Sequence, residues 1–554
     1  MKNINLKKSL VALTTAALVA ALAVVIPTTA RAAGPDCSGT ALPKYPVYDV
    51  QLCKGTDQYG AKYEIAMPKK FNGTLLVWSH GIRKNSNLPA IPVVAPKGYL
   101  VDNSAEIAPT PDIAAKLLKQ GFALAGSGVQ TQGWNLAEQV LATTIVIDQA
   151  ITTFPAIDRV ASWGASLGGL SSQILAESNP GLGESVAPLC LSDSALTEIT
   201  RAGDFLWGVK VLFDPTIKGG NYSPGAAGVA ESYGDLVKVF TVMGKLQAAL
   251  ATGAWPDTSS ATGKALAAAG VPSRSALLLL GLMAGIPTQS AHFDSVSGPE
   301  GALKLTFPLA LSPALAILEN GTNAAALAVL ATQDVENQVG GAFFDNTKTD
   351  YTARVDGERV IFNAALSGNT VIDALLGALS AANPGAPRAV GNAAAIAKMQ
   401  ALHTNTGKIN VPTILMVGMA DPITPAGASQ RLVDLYADQY AAEKAAAIKA
   451  YQSSRSYKTP TNKLLMLWNP TPASYTKFNE AGSPITSVPA AQGTNHCNFT
   501  SAQLVLVAKS LVQASNTGKL PSGGALYTAV RKAGNLSVDK GIRAPWLKSY
   551  GDNS

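Results

Sequence analysis

Charged residues are scarce in this sequence. Only 14% of its 554 residues are charged, whereas 47% are hydrophobic. A chain of this composition buries enough apolar surface to fold, so the composition excludes an intrinsically disordered protein. The length predicts two or more structural units rather than one compact domain.

The sequence also lacks the residue clusters that hold metals and nucleotide cofactors. It contains no C-x-x-C pair, and its few histidines are scattered, which argues against a zinc site. Gly126, Gly128 and Gly133 resemble a dinucleotide-binding loop, but their spacing is wrong and no acidic residue closes a following strand. We therefore expect no metal and no cofactor. The four histidines are His80, His292, His403 and His496.

The first 32 residues have the pattern of an export signal. Three lysines near the start of the chain precede an apolar run over Leu10–Ile26, and the small-x-small cleavage pattern Ala30-Arg31-Ala32 follows this run. A retained membrane anchor is the alternative, but Pro27 and the cleavage pattern come directly after the run. We therefore predict a secreted protein, without stable membrane insertion, whose mature chain begins near Ala33.

Basic residues show little excess once this segment is set aside. Residues 1–32 contain four basic residues and no acidic one, so the formal net charge falls from +7 to +3. Such a small excess does not indicate a nucleic-acid partner.

Cysteines are few but even in number. An exported chain with four cysteines is expected to form disulfides, and four cysteines allow three pairings. One pairing joins Cys37 to Cys53 in a short local loop, which leaves Cys190 with Cys497.

Strand-like and helix-like segments alternate before residue 195. Such alternation predicts a parallel sheet with helical crossovers. The segment Tyr59–Met67 alternates as an edge strand would. The other predicted strands lie at residues 75–78, 121–129, 159–161 and 186–191, and the predicted helices at 112–120, 136–154 and 170–177.

A long segment rich in Ala, Leu and Gly separates the strand ending near Asp193 from the next strand, which starts near Pro412. We predict that residues 195–405 form a mainly helical cap over the sheet, between core segments 33–194 and 406–554. Its most apolar run, Ala276–Ile286, is too short to span a bilayer. That run is expected to be a buried helix, with an apolar cleft wall as the alternative. A second candidate for the cleft wall is Phe343–Asn346.

Gly164-Ala165-Ser166-Leu167-Gly168 is a G-x-S-x-G pattern between a predicted strand and a predicted helix. This context is typical of a nucleophile elbow, a sharp turn that lifts a serine hydroxyl clear of the sheet. The alternative is a glycine-rich turn that only closes a helix onto the sheet. The strand at 75–78 ends in Ser79-His80-Gly81-Ile82. We expect the Ile82 and Leu167 amides to form an oxyanion hole, and His80 to hold backbone rather than to act as the base.

Two further residues complete a candidate catalytic triad. A serine hydroxyl needs a base to remove its proton, and the imidazole needs a carboxylate to orient it. His496 follows the last predicted strand, at residues 463–468, and Asp421 follows the strand at 412–418. Asp193 is the reserve acid. The alternatives are a capping histidine and a turn aspartate beside Pro422. The chain order is Ser166, Asp421, His496.

These residues resemble the motifs of the α/β-hydrolase family. The resemblance covers about residues 59–193 and 411–513 and rests on Ser79-His80-Gly81, the Gly164–Gly169 elbow, Met419-Ala420-Asp421-Pro422 and Asn495-His496-Cys497. It implies a mostly parallel, eight-stranded sheet, and hydrolysis of an ester or amide through an acyl-enzyme without a cofactor.

His496-Cys497 also resembles the tannase and feruloyl esterase group, in which a cysteine beside the histidine is bonded to one beside the serine. This chain has Ala165 where that partner would stand. If Cys497 is bridged, its expected partner is Cys190, near the exit of the neighbouring strand. Such a bridge would fix the histidine loop to the sheet.

Three functions follow as hypotheses. The leading one is a secreted serine hydrolase that cleaves carboxylic esters, with an acyl, aryl or polymeric ester as substrate under an apolar cap. The second is a secreted serine peptidase, such as an aminopeptidase. It would need acidic residues in the cap to bind a free amine, for which Asp345 and Glu319 are weak candidates. The third is a binding protein of the same fold without turnover, which a strained serine argues against.

Overall fold

We describe the protein from a computed structural model, over residues 34–40, 49–90, 96–257, 260–297, 311–402, 404–454, 459–480 and 483–545. The predicted export signal therefore lies outside the described residues, as does His403.

A single nine-stranded sheet forms the centre of the molecule, in the order β1-β2-β3-β5-β4-β6-β7-β8-β9. The four strands β1, β2, β3 and β5 pair antiparallel, and β5, β4, β6, β7, β8 and β9 run parallel. The strands are β1 Asp36–Gly39, β2 Val50–Thr56, β3 Lys62–Pro68, β4 Thr74–Ser79, β5 Ala123–Ser127, β6 Arg159–Ala165, β7 Ser185–Leu189, β8 Thr413–Gly418 and β9 Leu464–Asn469.

Helices cover both faces of this sheet. Two of them, α2 Leu136–Thr153 and α3 Leu167–Ser178, share one face with α12 Ala426–Ser454. The opposite face is covered by α1 Pro111–Leu118, α13 Ser501–Thr517 and α14 Gly523–Ala533. The central strands are buried on both faces, which explains why β4 and β8 are continuous apolar runs in the sequence.

Two sequence predictions about the sheet were wrong. Among the described residues, the sheet has nine strands rather than eight. The strand expected at 59–67 is β3, and it is not an edge, because β1 and β2 lie outside it. The C-terminal segment also contributes to the core, since Leu526 and Val530 of α14 are buried there.

Eight helices lie between β7 and β8 among the described residues, and we call them the helical insertion. They have a hydrophobic core of their own, in which α8 packs against α4, α5, α7 and α11. The eight are α4 Ala195–Leu212, α5 Gly225–Ala249, α6 Ala261–Ala268, α7 Ser273–Met283, α8 Leu311–Val339, α9 Tyr351–Ile361, α10 Asn369–Ala378 and α11 Ala393–Gln400.

Burial within the insertion answers two questions that the sequence left open. Helix α7 is buried along its apolar run, as predicted for a core helix, and Phe343 and Phe344 also belong to hydrophobic cores. Helix α8 is long and apolar enough to cross a membrane, but most of its apolar stretch is buried inside the protein. A buried core helix passes the same test of length and composition.

Candidate active site

Ser166 lies on the sharp turn between β6 and α3. Its backbone has φ 58° and ψ −125°, a conformation that costs a non-glycine residue about 1–3 kcal/mol. The turn is held by two hydrogen bonds to the chain beyond β7. The Ser166 amide donates to the Leu189 carbonyl at 3.0 Å, and the Ser192 amide donates to the Ser166 carbonyl at 3.4 Å. The surrounding fold thus maintains a strained serine at the carboxyl end of a central strand.

Glycines make this turn possible because neighbouring backbone lies against it. A methyl group at Gly164 would overlap the Gly168 carbonyl, and one at Gly168 would overlap the Ser79 carbonyl. A methyl group at Gly169 would approach the Leu189 carbonyl to 2.8 Å. The glycines therefore allow the elbow, β4 and β7 to pack closely.

The loop that leaves β4 reaches the Ser166 side chain. A methyl group at Gly81 would lie 3.3 Å from Ser166 Cβ and 3.8 Å from its hydroxyl oxygen. Within the described residues, the Ile82 amide donates no hydrogen bond to the protein. The Leu167 amide opens α3, where an N–H has no acceptor within the helix. In the described residues, neither of the two predicted oxyanion donors is therefore engaged in a hydrogen bond within the protein.

His80 lies beneath this loop rather than in the site. It is buried, and burial together with nearby Arg83 lowers the pKa of its imidazole. A neutral ring with its proton on Nδ1 donates to the Gly81 carbonyl at 2.7 Å, and Gln139 Nε2 donates to the His80 carbonyl. His80 holds backbone, as its position in the loop predicted.

Asp421 and His496 are in contact. His496 Nδ1 lies 3.1 Å from both carboxylate oxygens of Asp421. The carboxylate is fully buried and also accepts the amides of Ile423, Thr424 and Cys497 and the Thr424 hydroxyl. Burial alone would raise the pKa of Asp421, but the imidazole and these donors outweigh it and hold that pKa below its ordinary value. Asp421 is thus a pre-ordered carboxylate facing an imidazole.

Asp193, the reserve acid, is engaged elsewhere. Its carboxylate pairs with Arg431 of α12 at 2.8 Å, and its amide donates to Glu198 at 2.8 Å. The structure therefore selects Asp421 as the partner of His496.

A disulfide joins the two halves of the site. Cys190, directly after β7, is bonded to Cys497, and Cys37 is bonded to Cys53. The Cys497 sulfur lies 3.5 Å from His496 Nε2. Because Leu189 accepts the Ser166 amide, the bond connects the backbone that supports Ser166 to the residue beside His496.

Backbone strain is concentrated around this bridge. Among the described residues, four of the eight non-glycine residues with positive φ surround the site, namely Ser166, Cys190, Asn495 and Cys497, with φ of 58°, 39°, 63° and 48°. Positive φ in a residue with a side chain persists where the surrounding structure imposes it, and such residues cluster at functional sites. In the described residues, no hydrogen bond joins Ser166 to His496. The structure pairs the acid with the base and places the serine after β6, which β7 separates from β8.

The strand positions of these three residues decide the fold. The serine elbow follows a central parallel strand, the acid follows β8, and the histidine follows β9, with helices on both faces. This is an α/β-hydrolase fold. The antiparallel β1–β3 and the helical insertion are additions to its parallel part.

Comparisons of this chain with known proteins find similarity only between structures. No protein-family profile and no curated protein matches the chain. It is similar to an esterase from Aspergillus oryzae, with 11% identity, a TM-score of 0.35, and coverage of 85% of this chain and 81% of that one. Feruloyl esterase B from A. oryzae gives 13% identity, a TM-score of 0.33, and coverage of 85% and 81%.

A third similar structure is the rice cell wall degrading esterase LipA from Xanthomonas oryzae. It shows 11% identity and a TM-score of 0.31, and the match covers 84% of this chain and 90% of that one. At these TM-scores, the assignment of the α/β-hydrolase fold rests on the topology and the elbow of this chain itself.

Other candidate groups are already engaged in contacts. Among the described residues, one cluster has the spacing of metal ligands, Cys190, Asp421 and Cys497, but both its sulfurs form the disulfide. Glu319 accepts hydrogen bonds from His292 and Ser290. Asp345 accepts them from Thr347 and Gly391. Both acids that were candidates for binding a substrate amine are therefore hydrogen-bonded within the protein.

Proposed function

We propose that this protein is a secreted serine hydrolase that cleaves carboxylic esters. The observation that carries the proposal is the contact between His496 and the buried Asp421. The Cys190–Cys497 disulfide connects this pair to the end of β7, which supports the strained Ser166. A serine, an imidazole and a carboxylate are the three groups that catalyse acyl transfer in a catalytic triad.

The chemistry follows from these groups. Ser166 Oγ attacks the ester carbonyl carbon while its proton moves to His496 Nε2. Asp421 holds the Nδ1 proton and stabilises the imidazolium. The Ile82 and Leu167 amides donate to the oxyanion of the tetrahedral intermediate. When the intermediate collapses, the alcohol leaves with the proton from His496. Water then attacks the acyl-enzyme by the same steps and releases the acid.

The domain assignment belongs to this proposal. Residues 195–405 would act as the cap over a core formed by residues 33–194 and 406–554, and the apolar character of the cap suits an acyl, aryl or polymeric ester. Secretion is supported by the two disulfides, since such bonds persist in oxidising compartments. Sequencing the N-terminus of exported protein tests the cleavage near Ala33.

One experiment tests the activity. Purified protein is incubated with chromogenic esters and with aminoacyl amides, beside a Ser166→Ala variant of equal thermal stability. We expect ester turnover that the variant loses, and labelling of Ser166 by a serine-directed phosphonate in the mass spectrum. Amide turnover that requires a free amino group would replace the esterase with a peptidase. Turnover that persists in Ser166→Ala, or a lack of both turnover and labelling, would overturn the proposal.

A further inference from the structure

An arginine is fully buried where the helical insertion meets the loop that carries Asp421. Arg201 lies on α4, the first helix of the insertion, and has no exposed surface. Burying a guanidinium is costly unless hydrogen bonds and opposite charges compensate. Its contacts therefore indicate what it contributes.

The guanidinium of Arg201 connects two separate loops. Nη2 donates to the Pro422 carbonyl at 2.8 Å, and Nη1 donates to the Gly285 carbonyl at 3.4 Å. Pro422 directly follows Asp421, and Gly285 follows α7 of the insertion. One side chain thus attaches the acid loop to the insertion.

Arg201 carries a positive charge that interacts with the Asp421 carboxylate. Burial lowers the pKa of Arg201 to about 10, with Glu198 and Asp421 opposing this change, so the guanidinium is charged at neutral pH. Burial raises the pKa of Glu198 to about 8, so that carboxyl is mostly neutral there. Asp193 is paired with Arg431. Arg201 and Asp421 therefore interact across a dry region, where charges act strongly.

We propose that Arg201 is a positioning residue for the hydrolysis: it fixes the acid loop through its hydrogen bond to the Pro422 carbonyl. This role rests on the proposed function. Its measurable consequence is a slower chemical step when Asp421 is displaced, while substrate binding changes little.

The test compares Arg201→Met and Arg201→Lys with Arg354→Met. Arg354 is the matched control because it is also buried in the insertion, where it pairs with Asp204 at 2.6 Å. Each variant is assayed on a chromogenic ester between about pH 5 and 9, and its folding is checked by circular dichroism.

We expect Arg201→Met to lower kcat by about ten- to a hundredfold with little change in KM. Arg201→Lys keeps the charge and a hydrogen-bond donor, so kcat should recover in part in that variant. Arg354→Met should lose stability while its kcat stays near that of the wild type.

Two results would overturn the role of Arg201. One is an Arg201→Met variant whose kcat matches that of Arg354→Met. If Arg201→Met does not fold, Arg201→Lys decides, and a wild-type kcat in that variant overturns the role. A failure of the proposed function would give a different result. Ser166→Ala would then cleave the ester as fast as the wild type, whatever the Arg201 variants do.

Discussion

Cys190 and Cys497 are bonded to each other although they lie 307 residues apart in sequence. Cys190 directly follows the strand whose Leu189 carbonyl accepts the Ser166 amide, and the Cys497 amide donates to Asp421. The bridge therefore couples the support of the candidate nucleophile to the candidate acid and base.

Removing this bridge should reduce both stability and activity. We expect Cys190→Ala/Cys497→Ala to lose about 2–4 kcal/mol of unfolding free energy and at least tenfold in kcat, because the His496 loop is then less well fixed. Urea unfolding and ester assays measure the two effects. Cys37→Ala/Cys53→Ala is the matched control. It should lose stability but keep its kcat, and equal kcat losses in the two double variants would contradict the coupling.

Asp421 and Asp193 should differ sharply in their effect on turnover. Asp421→Asn leaves the imidazole without a carboxylate partner, so we expect kcat to fall on the order of a thousandfold or more. Asp193→Asn weakens the contact with Arg431 and should change kcat only a few-fold. Initial rates on one chromogenic ester measure both variants. A larger loss in Asp193→Asn would reassign the acid.

Gly81 lies in the loop after β4 that carries the proposed oxyanion donor Ile82, and a larger residue there tests this loop by steric crowding. In Gly81→Ala, the new methyl group crowds Ser166 Cβ at 3.3 Å and stands beside the hydroxyl, so kcat should fall about ten- to a hundredfold while the melting temperature changes little. Gly181→Ala is the control, because a methyl group there meets nothing within 4 Å. Unchanged turnover in Gly81→Ala would place the reacting carbonyl elsewhere.

Glu198 should make stability depend on pH. Burial raises its pKa in the folded protein to about 8, from an ordinary value of 4.5. The folded state therefore holds more protons between these pH values, so its contribution to stability is greatest below about pH 4.5 and is lost as pH rises through about 8. In Glu198→Gln that loss should disappear. Urea midpoints at about pH 5 and 8.5 measure it, and parallel declines in variant and wild type would refute it.

The central part of the sheet could be predicted from the sequence because its strands are buried on both faces. Strands β4, β6, β7 and β8 are apolar runs that end at recognisable loops. The short β1 and the polar β2 carry no such signal, since the antiparallel pairing that forms them depends on distant residues and on the Cys37–Cys53 bond. For the same reason, β3 was mistaken for an edge.

The reacting groups of the candidate site could be predicted from the sequence, but the residues that support them could not. A serine elbow, and loop residues that directly follow strands, are recognisable from local sequence patterns. Glu198 and Arg201 lie three positions apart on α4, a spacing that places two residues on the same helix face, and their opposite charges could have suggested that they interact. Their contact with the acid loop depends on how the insertion packs, which no local pattern contains.

The outer edge of β9 is closed by residues close in sequence and by the tail. Asn462 bonds the amide and carbonyl of Leu464 with its side chain, and Ser537 pairs with Trp468 through two backbone hydrogen bonds of 2.9 and 2.7 Å. An unpaired edge strand can recruit the strand of another molecule and begin aggregation. The C-terminal residues occupy one end of this edge and Asn462 occupies the other, so we expect the resistance of this large sheet to pairing with its own copies to depend in part on a segment far from its chemistry.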